Sequence, residues 1–227
     1  MLQIKNLTLT HKKDLREILS DFSCVFNNGD KAVIIGEEGN GKSTLLKWLY
    51  DPLMVEEYCE AEGERLISGE VLGYLAQELP KEDQQKSVYE FFSEQESFWN
   101  QTPKELNQTA AKFHIAPDFF YREQQMSTLS GGEKVKAQLM RIIFAEPTVL
   151  LLDEPSNDID IETLETLEEL ILSWDKIVIY ISHDETLIER TANKIIHIEQ
   201  IRRKTKSRFC IANTSYTEYL KNRSSQM

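Results

Sequence analysis

The sequence predicts an α/β fold, a mostly parallel sheet between helices, with an antiparallel β part at the N-terminus and an inserted helical subdomain. Four short apolar runs carry the sheet: Ala32–Ile35, Val71–Leu75, Val149–Leu152 and Ile177–Ile181. Each is rich in Val, Ile or Leu and nearly continuous in apolar character, as strands covered on both faces are. Helical segments alternate with them, which is the pattern of a doubly wound core. The third observation is a break in that pattern from about 82 to 126, where Tyr89, Phe91, Phe92, Phe98, Trp99 and Phe119–Tyr121 occur without a strand-like run.

In chain order, Leu2–Thr10 largely alternates apolar and polar side chains, so it reads as a half-exposed antiparallel strand. The run ending at Ile35 leads through a glycine-rich turn into a helix over Ser43–Tyr50. Good helix formers fill Gly131–Ala145, and Ile161–Leu172 places Leu164, Leu167, Leu170 and Ile171 on one stripe. Near the end lies a basic cluster, Arg202, Arg203, Lys204, Lys206 and Arg208, best read as a solvated strand or hairpin face, with RNA contact as the sharper reading. No repeat and no Gly-, Ser- or Pro-rich linker divides the chain. One domain over 1–227 is expected, with 1–81 and 127–227 forming the α/β core and about 82–126 the helical lobe.

Of 227 residues, 26 are Lys or Arg and 38 are Asp or Glu, giving a formal charge of −12. That balance argues against holding nucleic acid by bulk electrostatics. The longest apolar run, Ile177–Ile181, is far short of the roughly 20 residues of a membrane span. Met1–Asn6 shows no basic and then apolar leader, and Cys24, Cys59 and Cys210 form no metal-binding pattern. A cytoplasmic location with reduced thiols is expected.

The phosphate chemistry is concentrated in Gly36, Glu37, Glu38, Gly39, Asn40, Gly41, Lys42, Ser43 and Thr44, which fit G-x-x-x-x-G-K-[ST] between a strand and a helix. Glycines let successive backbone N–H groups converge on phosphate oxygens, and the helix N-terminus adds partial positive charge. Lys42 is placed to reach the β- and γ-phosphates, and the Ser43 hydroxyl to sit on Mg²⁺. Asp153 and Glu154 follow a buried strand at the end where α/β sheets bind ligands. Asp153 would hold Mg²⁺ through water, and Glu154 would polarise the attacking water. Such a pair alone is more often a helix cap; beside a phosphate loop it reads as catalytic.

Together with these residues, Leu129, Ser130, Gly131, Gly132 and Glu133 resemble the signature of the ATP-binding-cassette (ABC) ATPases. Gln77 matches that family's Q-loop glutamine, Asp160 its D-loop aspartate and His183 its switch histidine, in the family's order and over nearly the whole chain. The resemblance implies ATP and Mg²⁺ as ligands. It also implies Gln77, Glu154 and His183 in catalysis, with Ser43, Gln77 and Asp153 at the metal. It further implies a composite site, in which Ser130–Glu133 and Asp160 of one cassette cap the ATP held by another. Glu133–Lys134, Asp153–Asn157 followed by Asp160, and Ile181–Asp184 with Leu187 and Ile188 resemble the ABC-F branch, soluble two-cassette proteins of which many act on the ribosome and some protect it from antibiotics. The expected function is therefore ATP hydrolysis by a cassette that switches by closing on a second one, in the same longer chain or in a second copy. The alternative is the nucleotide-binding subunit of a membrane transporter, docked on separate spanning subunits; a third reading is a module that binds ATP without turnover. The chain departs from the branch in having one cassette without a charged linker, and in placing Asp158-Ile159 where His-Leu is usual. The adenine-stacking aromatic has no clear match; His11 is the nearest candidate, and a surface histidine beside Lys12 and Lys13 is the simpler reading.

Overall fold

The computed structural model describes residues 1–201 and 206–225. The chain begins with β1 (Leu2–His11) and β2 (Glu17–Phe26), then β3 (Lys31–Ile35) and α1 (Lys42–Tyr50). Next come α2 (Leu53–Glu56), β4 (Cys59–Leu66) and β5 (Leu72–Leu75). Four short helices follow: α3 (Lys81–Gln84), α4 (Val88–Ser93), α5 (Glu96–Trp99) and α6 (Pro103–Lys112), with 3-10 turns at Pro117–Tyr121 and Met126–Thr128. The chain then runs through α7 (Gly131–Phe144), β6 (Val149–Asp153), α8 (Ile161–Ser173), β7 (Ile177–Ile181) and α9 (Glu185–Thr191). It ends with β8 (Lys194–Ile201), β9 (Lys206–Ala212) and α10 (Tyr216–Ser224).

All four apolar runs lie in one six-stranded sheet of order β5-β6-β7-β3-β8-β9. Its first five strands are parallel, and β9 closes the edge as an antiparallel partner of β8. β6 and β7 are buried at every position, which is why their sequences do not alternate. The strand expected from Val71 starts one residue later, because the Val71 N–H donates to the Thr148 hydroxyl (2.9 Å). β1 does alternate, and it lies between β2 and β4 in an antiparallel sheet. The two sheets meet where Phe22 of β2 packs edge-on against Phe209 of β9, ring centroids 5.0 Å apart. Of the basic cluster, Arg202, Arg203 and Lys204 lie outside the described residues; Arg208 is exposed on β9.

Between β5 and α7 the aromatics form the interior of the helical segment. Phe91, Phe92, Phe98, Phe119 and Phe120 are each at most 3% exposed. Phe92 packs on Phe120 at 5.0 Å and on Phe144 of α7 at 6.1 Å, which ties these helices to the sheet-covering α7. Burying each ring is worth about 1.5–3 kcal/mol. The short helices need firm ends to hold this geometry: Ser87 and Thr102 each form a reciprocal capping box, with Glu90 and Glu105. Trp99 and Tyr121 remain exposed. The Asp83 carboxylate, 4% exposed, accepts from Lys86 (2.8 Å) and Arg141 (3.0 Å), so the buried charge is paired from both sides.

Candidate functional site

β3 delivers the chain into the phosphate loop at Ile35, and α1 starts at Lys42, one residue ahead of the sequence expectation. Gly41 makes that start possible. It sits at φ 81°, and a Cβ there would lie 1.9 Å from the Ile18 Cγ2 methyl. Behind the loop stands β8: the Ile198 carbonyl accepts from Asn40 Nδ2 (3.2 Å), and it occupies the space a Cβ on Gly36 would take. Asn40 is 1% exposed, whereas Glu37, Glu38 and Gly39 face solvent. The Lys42 ammonium turns back on the loop and donates to the Gly36 and Glu37 carbonyls, both at 2.9 Å. Burial lowers its pKa, and the charges of Glu154, Glu38 and Asp153 work against that lowering. Burial raises the pKa of Tyr58, and the nearby Thr44 side chain, in the first turn of α1, opposes this.

The two carboxylates meet this loop from the end of β6. Ser43 Oγ donates to Asp153 Oδ1 at 2.9 Å. Glu154 adopts φ 50°, a left-handed conformation that costs a non-glycine residue of order 1–2 kcal/mol. Its N–H donates to the Ile181 carbonyl (3.1 Å), which fixes the turn against β7. Glu154 Oε1 lies 3.2 Å from His183 Nε2, while Oε2 is buried with no partner. Burial raises the pKa of both carboxyls; the neighbouring His183 and then Lys42 oppose this at Glu154, and the Ser43 hydroxyl opposes it at Asp153. Lys42, Ser43, Asp153, Glu154 and His183 are thus one contiguous group.

The signature lies elsewhere. Ser130 is exposed and caps α7 in a reciprocal box: its Oγ accepts from the Glu133 N–H (3.1 Å), and Glu133 Oε2 accepts from the Ser130 N–H (3.0 Å). Glu133 also faces Arg122 at 3.6 Å. A Cβ on Gly131 would fall 2.1 Å from the Asp158 carbonyl, and one on Gly132 would fall 2.3 Å from Thr163 Oγ1. Asp160 caps α8 through the Thr163 N–H (2.7 Å), a bond that holds its carboxyl below the usual range. Exposed Gln77 shares the wall of a cavity of about 420 Å³ with Gly131, Asn157 and Asp158. No described hydrogen bond or ion pair links the signature to the phosphate loop. His11 lies with its Nδ1 3.1 Å from Asp14 Oδ1 and its ring 6.3 Å from that of Tyr58.

Chemically, the loop offers a cation, backbone N–H donors and a helix N-terminus to an anion. The Ser43 hydroxyl and Asp153 carboxylate are hard oxygen ligands side by side. One or two such ligands, with phosphate and water completing the octahedron, are what Mg²⁺ takes from a protein in a nucleotide site. Three tyrosines nearby went unremarked in the sequence: Tyr50, Tyr58 and Tyr74. Tyr74 stacks on Tyr50 (5.1 Å, 24°), and burial, with the Asp153 charge adding to it, pushes its pKa up. A phenol in an otherwise apolar strand was the available signal. Glu38 bears on both Lys42 and Glu154 and opposes an incoming polyphosphate. Glu38→Gln should therefore tighten ATP binding by about 2–5-fold in low salt and by less at high ionic strength. Calorimetry at two salt concentrations checks this.

A family profile described as ABC transporter matches residues 19–157, more than half of the chain. The ATP-binding protein Uup of Escherichia coli (strain K12), an ABC-F protein, is 34% identical over 187 residues, 79% of this chain and 28% of that protein. The chain thus spans under a third of this relative's length. Among solved structures, a nucleotide-free ATP-binding cassette from an ABC transporter superposes with a TM-score of 0.73 at 16% identity, over 98% of this chain and 94% of that one. A dimeric cassette in a post-hydrolysis state with ADP and Pi superposes at 0.66 and 20% identity, over 89% and 97%. The chain belongs to the ABC transporter family and has the fold of its ATP-binding cassettes.

Proposed function

We propose that this chain is an ATP-hydrolysing cassette of ABC-F type, working in the cytoplasm as a nucleotide-driven switch that closes on a second cassette. One observation carries the reading. Lys42, Ser43, Asp153, Glu154 and His183 form one contiguous group, while Ser130 stands exposed on a separate helix end with no described bond to it. Each cassette would thus supply half of two sites.

On this reading Lys42 exchanges the Gly36 and Glu37 carbonyls for the β- and γ-phosphate oxygens. Ser43, Gln77 and, through water, Asp153 would hold Mg²⁺, which would neutralise phosphate charge. Glu154 Oε2, buried and without a partner, takes the proton of the attacking water as its oxygen bonds to the γ-phosphorus and the bond to the β-phosphate oxygen breaks. His183 donates to the γ-phosphate and holds Glu154 by its other oxygen. Ser130, Gly131, Gly132, Glu133 and Asp160 serve the nucleotide of the partner cassette. The resemblance to the ABC-F branch extends the reading to ribosome-associated translation or antibiotic resistance.

The test is turnover against protein concentration. Specific activity should rise from nanomolar to high micromolar protein, and Ser130→Arg should remove it while ATP affinity stays within about twofold, because the new bulk stands where the partner's γ-phosphate docks. Constant turnover per molecule together with an active Ser130 variant would rule out a shared site.

A further inference from the structure

We propose that Tyr74 is a positioning residue for the metal-site carboxylate, donating its phenolic O–H to Asp153 when Mg²⁺-nucleotide is bound. The inference rests on the ATP and Mg²⁺ reading above and adds a residue to it. In the β5–β6 register Tyr74 stands opposite Leu151, and Asp153 is two residues further along β6. Side chains two apart on a strand share a face, so Tyr74 and Asp153 look the same way. That face is the one α1 covers. Ser43, in the first turn of α1, bonds Asp153, and Tyr50, at its last residue, stacks on Tyr74.

The stack fixes the ring and therefore the hydroxyl. That hydroxyl is buried and has no hydrogen-bond partner, although it faces the Asp153 carboxyl closely enough for each group to act on the other. A buried donor left unspent is costly, and in a native protein it calls for an explanation. Asp153 supplies one. Its two oxygens offer about four lone-pair sites. Ser43 is the one hydrogen bond described to it, at Oδ1. To hold metal-bound water the carboxyl must keep one rotation about χ2, which is a soft torsion. A second donor anchored by an aromatic stack supplies that constraint, as outer donors do for metal ligands in general.

The experiment uses Tyr74→Phe, which keeps the ring and the stack and deletes only the hydroxyl. Binding of a fluorescent ADP analogue is titrated with MgCl₂ and repeated in EDTA, so that no turnover intervenes. The Mg²⁺ concentration at half-saturation should rise about tenfold, whereas affinity in EDTA should stay within about twofold. Tyr50→Phe, which keeps a stacking ring, should leave the Mg²⁺ titration unmoved. Because the phenol has no partner without ligand, the thermal midpoint of ligand-free Tyr74→Phe should equal or exceed the parent's. An unchanged Mg²⁺ titration, or a ligand-free variant that is unstable, overturns the assignment. A parent protein that binds nucleotide indifferently to Mg²⁺ overturns the metal-site reading, and this one with it.

Discussion

Glu154→Gln should retain ATP and Mg²⁺ binding and slow hydrolysis by about 10²–10⁴-fold, the usual worth of a general base. Gln keeps the shape and can still meet His183, but it cannot accept a proton from water. On the proposed reading a closed cassette pair should consequently become long-lived with ATP, visible as a nucleotide-dependent dimer of the variant. Hydrolysis at the parental rate would remove Glu154 from the base's role. Stability should move in the opposite direction to activity. Burial raises the Glu154 pKa, so the folded chain keeps this proton to higher pH than the unfolded one. That contribution to stability is full below the unfolded pKa and disappears as pH rises through the folded value. At neutral pH the folded state therefore carries the cost of a buried charge, and ligand-free Glu154→Gln should melt at or above the parent's midpoint. In the parent, hydrolysis should fall with acidification at a pH above the ordinary carboxyl range.

Lys42→Ala should abolish tight ATP binding. Among the described residues the ammonium is the side-chain cation hydrogen-bonded to the phosphate loop, and its bonds there, to two backbone carbonyls, are weak competitors for a triphosphate. The variant should still fold, since Lys42 faces the loop and not the apolar core. It loses about 2 hydrogen bonds to Gly36 and Glu37, each worth about 1 kcal/mol. Calorimetry decides: equal ATP affinity in variant and parent would show that the loop does not cradle phosphate.

The sheet was legible where strands are covered on both faces, because burial leaves a nearly continuous apolar run; β3, β6 and β7 are of this kind. β4 was not. It lies at a sheet edge with Glu60, Glu62 and Glu64 exposed, and only its pairing with β1 makes Cys59–Leu66 a strand. β2 hid likewise among polar residues, since the register irregularities in its pairing with β1 break the alternation. Of the site, the phosphate loop and the acidic pair were readable as local spacing. The Ile198 backing of Gly36 and Asn40, and the placement of Tyr58 and Tyr74 beside α1, depend on residues far apart in sequence. No motif records such contacts.

The loop from Asp153 to Asp160 has a consequence for timing. At one end it holds the carboxylates that face the phosphate loop of this cassette. At the other, the Asp158 carbonyl fills the hollow above Gly131, and Asp160 sits at the head of α8 beside Gly132. There is no slack at either glycine for a side chain. On the proposed two-cassette reading, a shift at Asp153–Glu154 when nucleotide binds would reach the signature through this loop, and with it the partner's nucleotide. Two cassettes sharing sites in that way would be geared to one another, each site advancing with the other. Gly131→Ala, which inserts a methyl where the Asp158 carbonyl sits, should on that reading spare ATP binding and loosen the gear between the two sites.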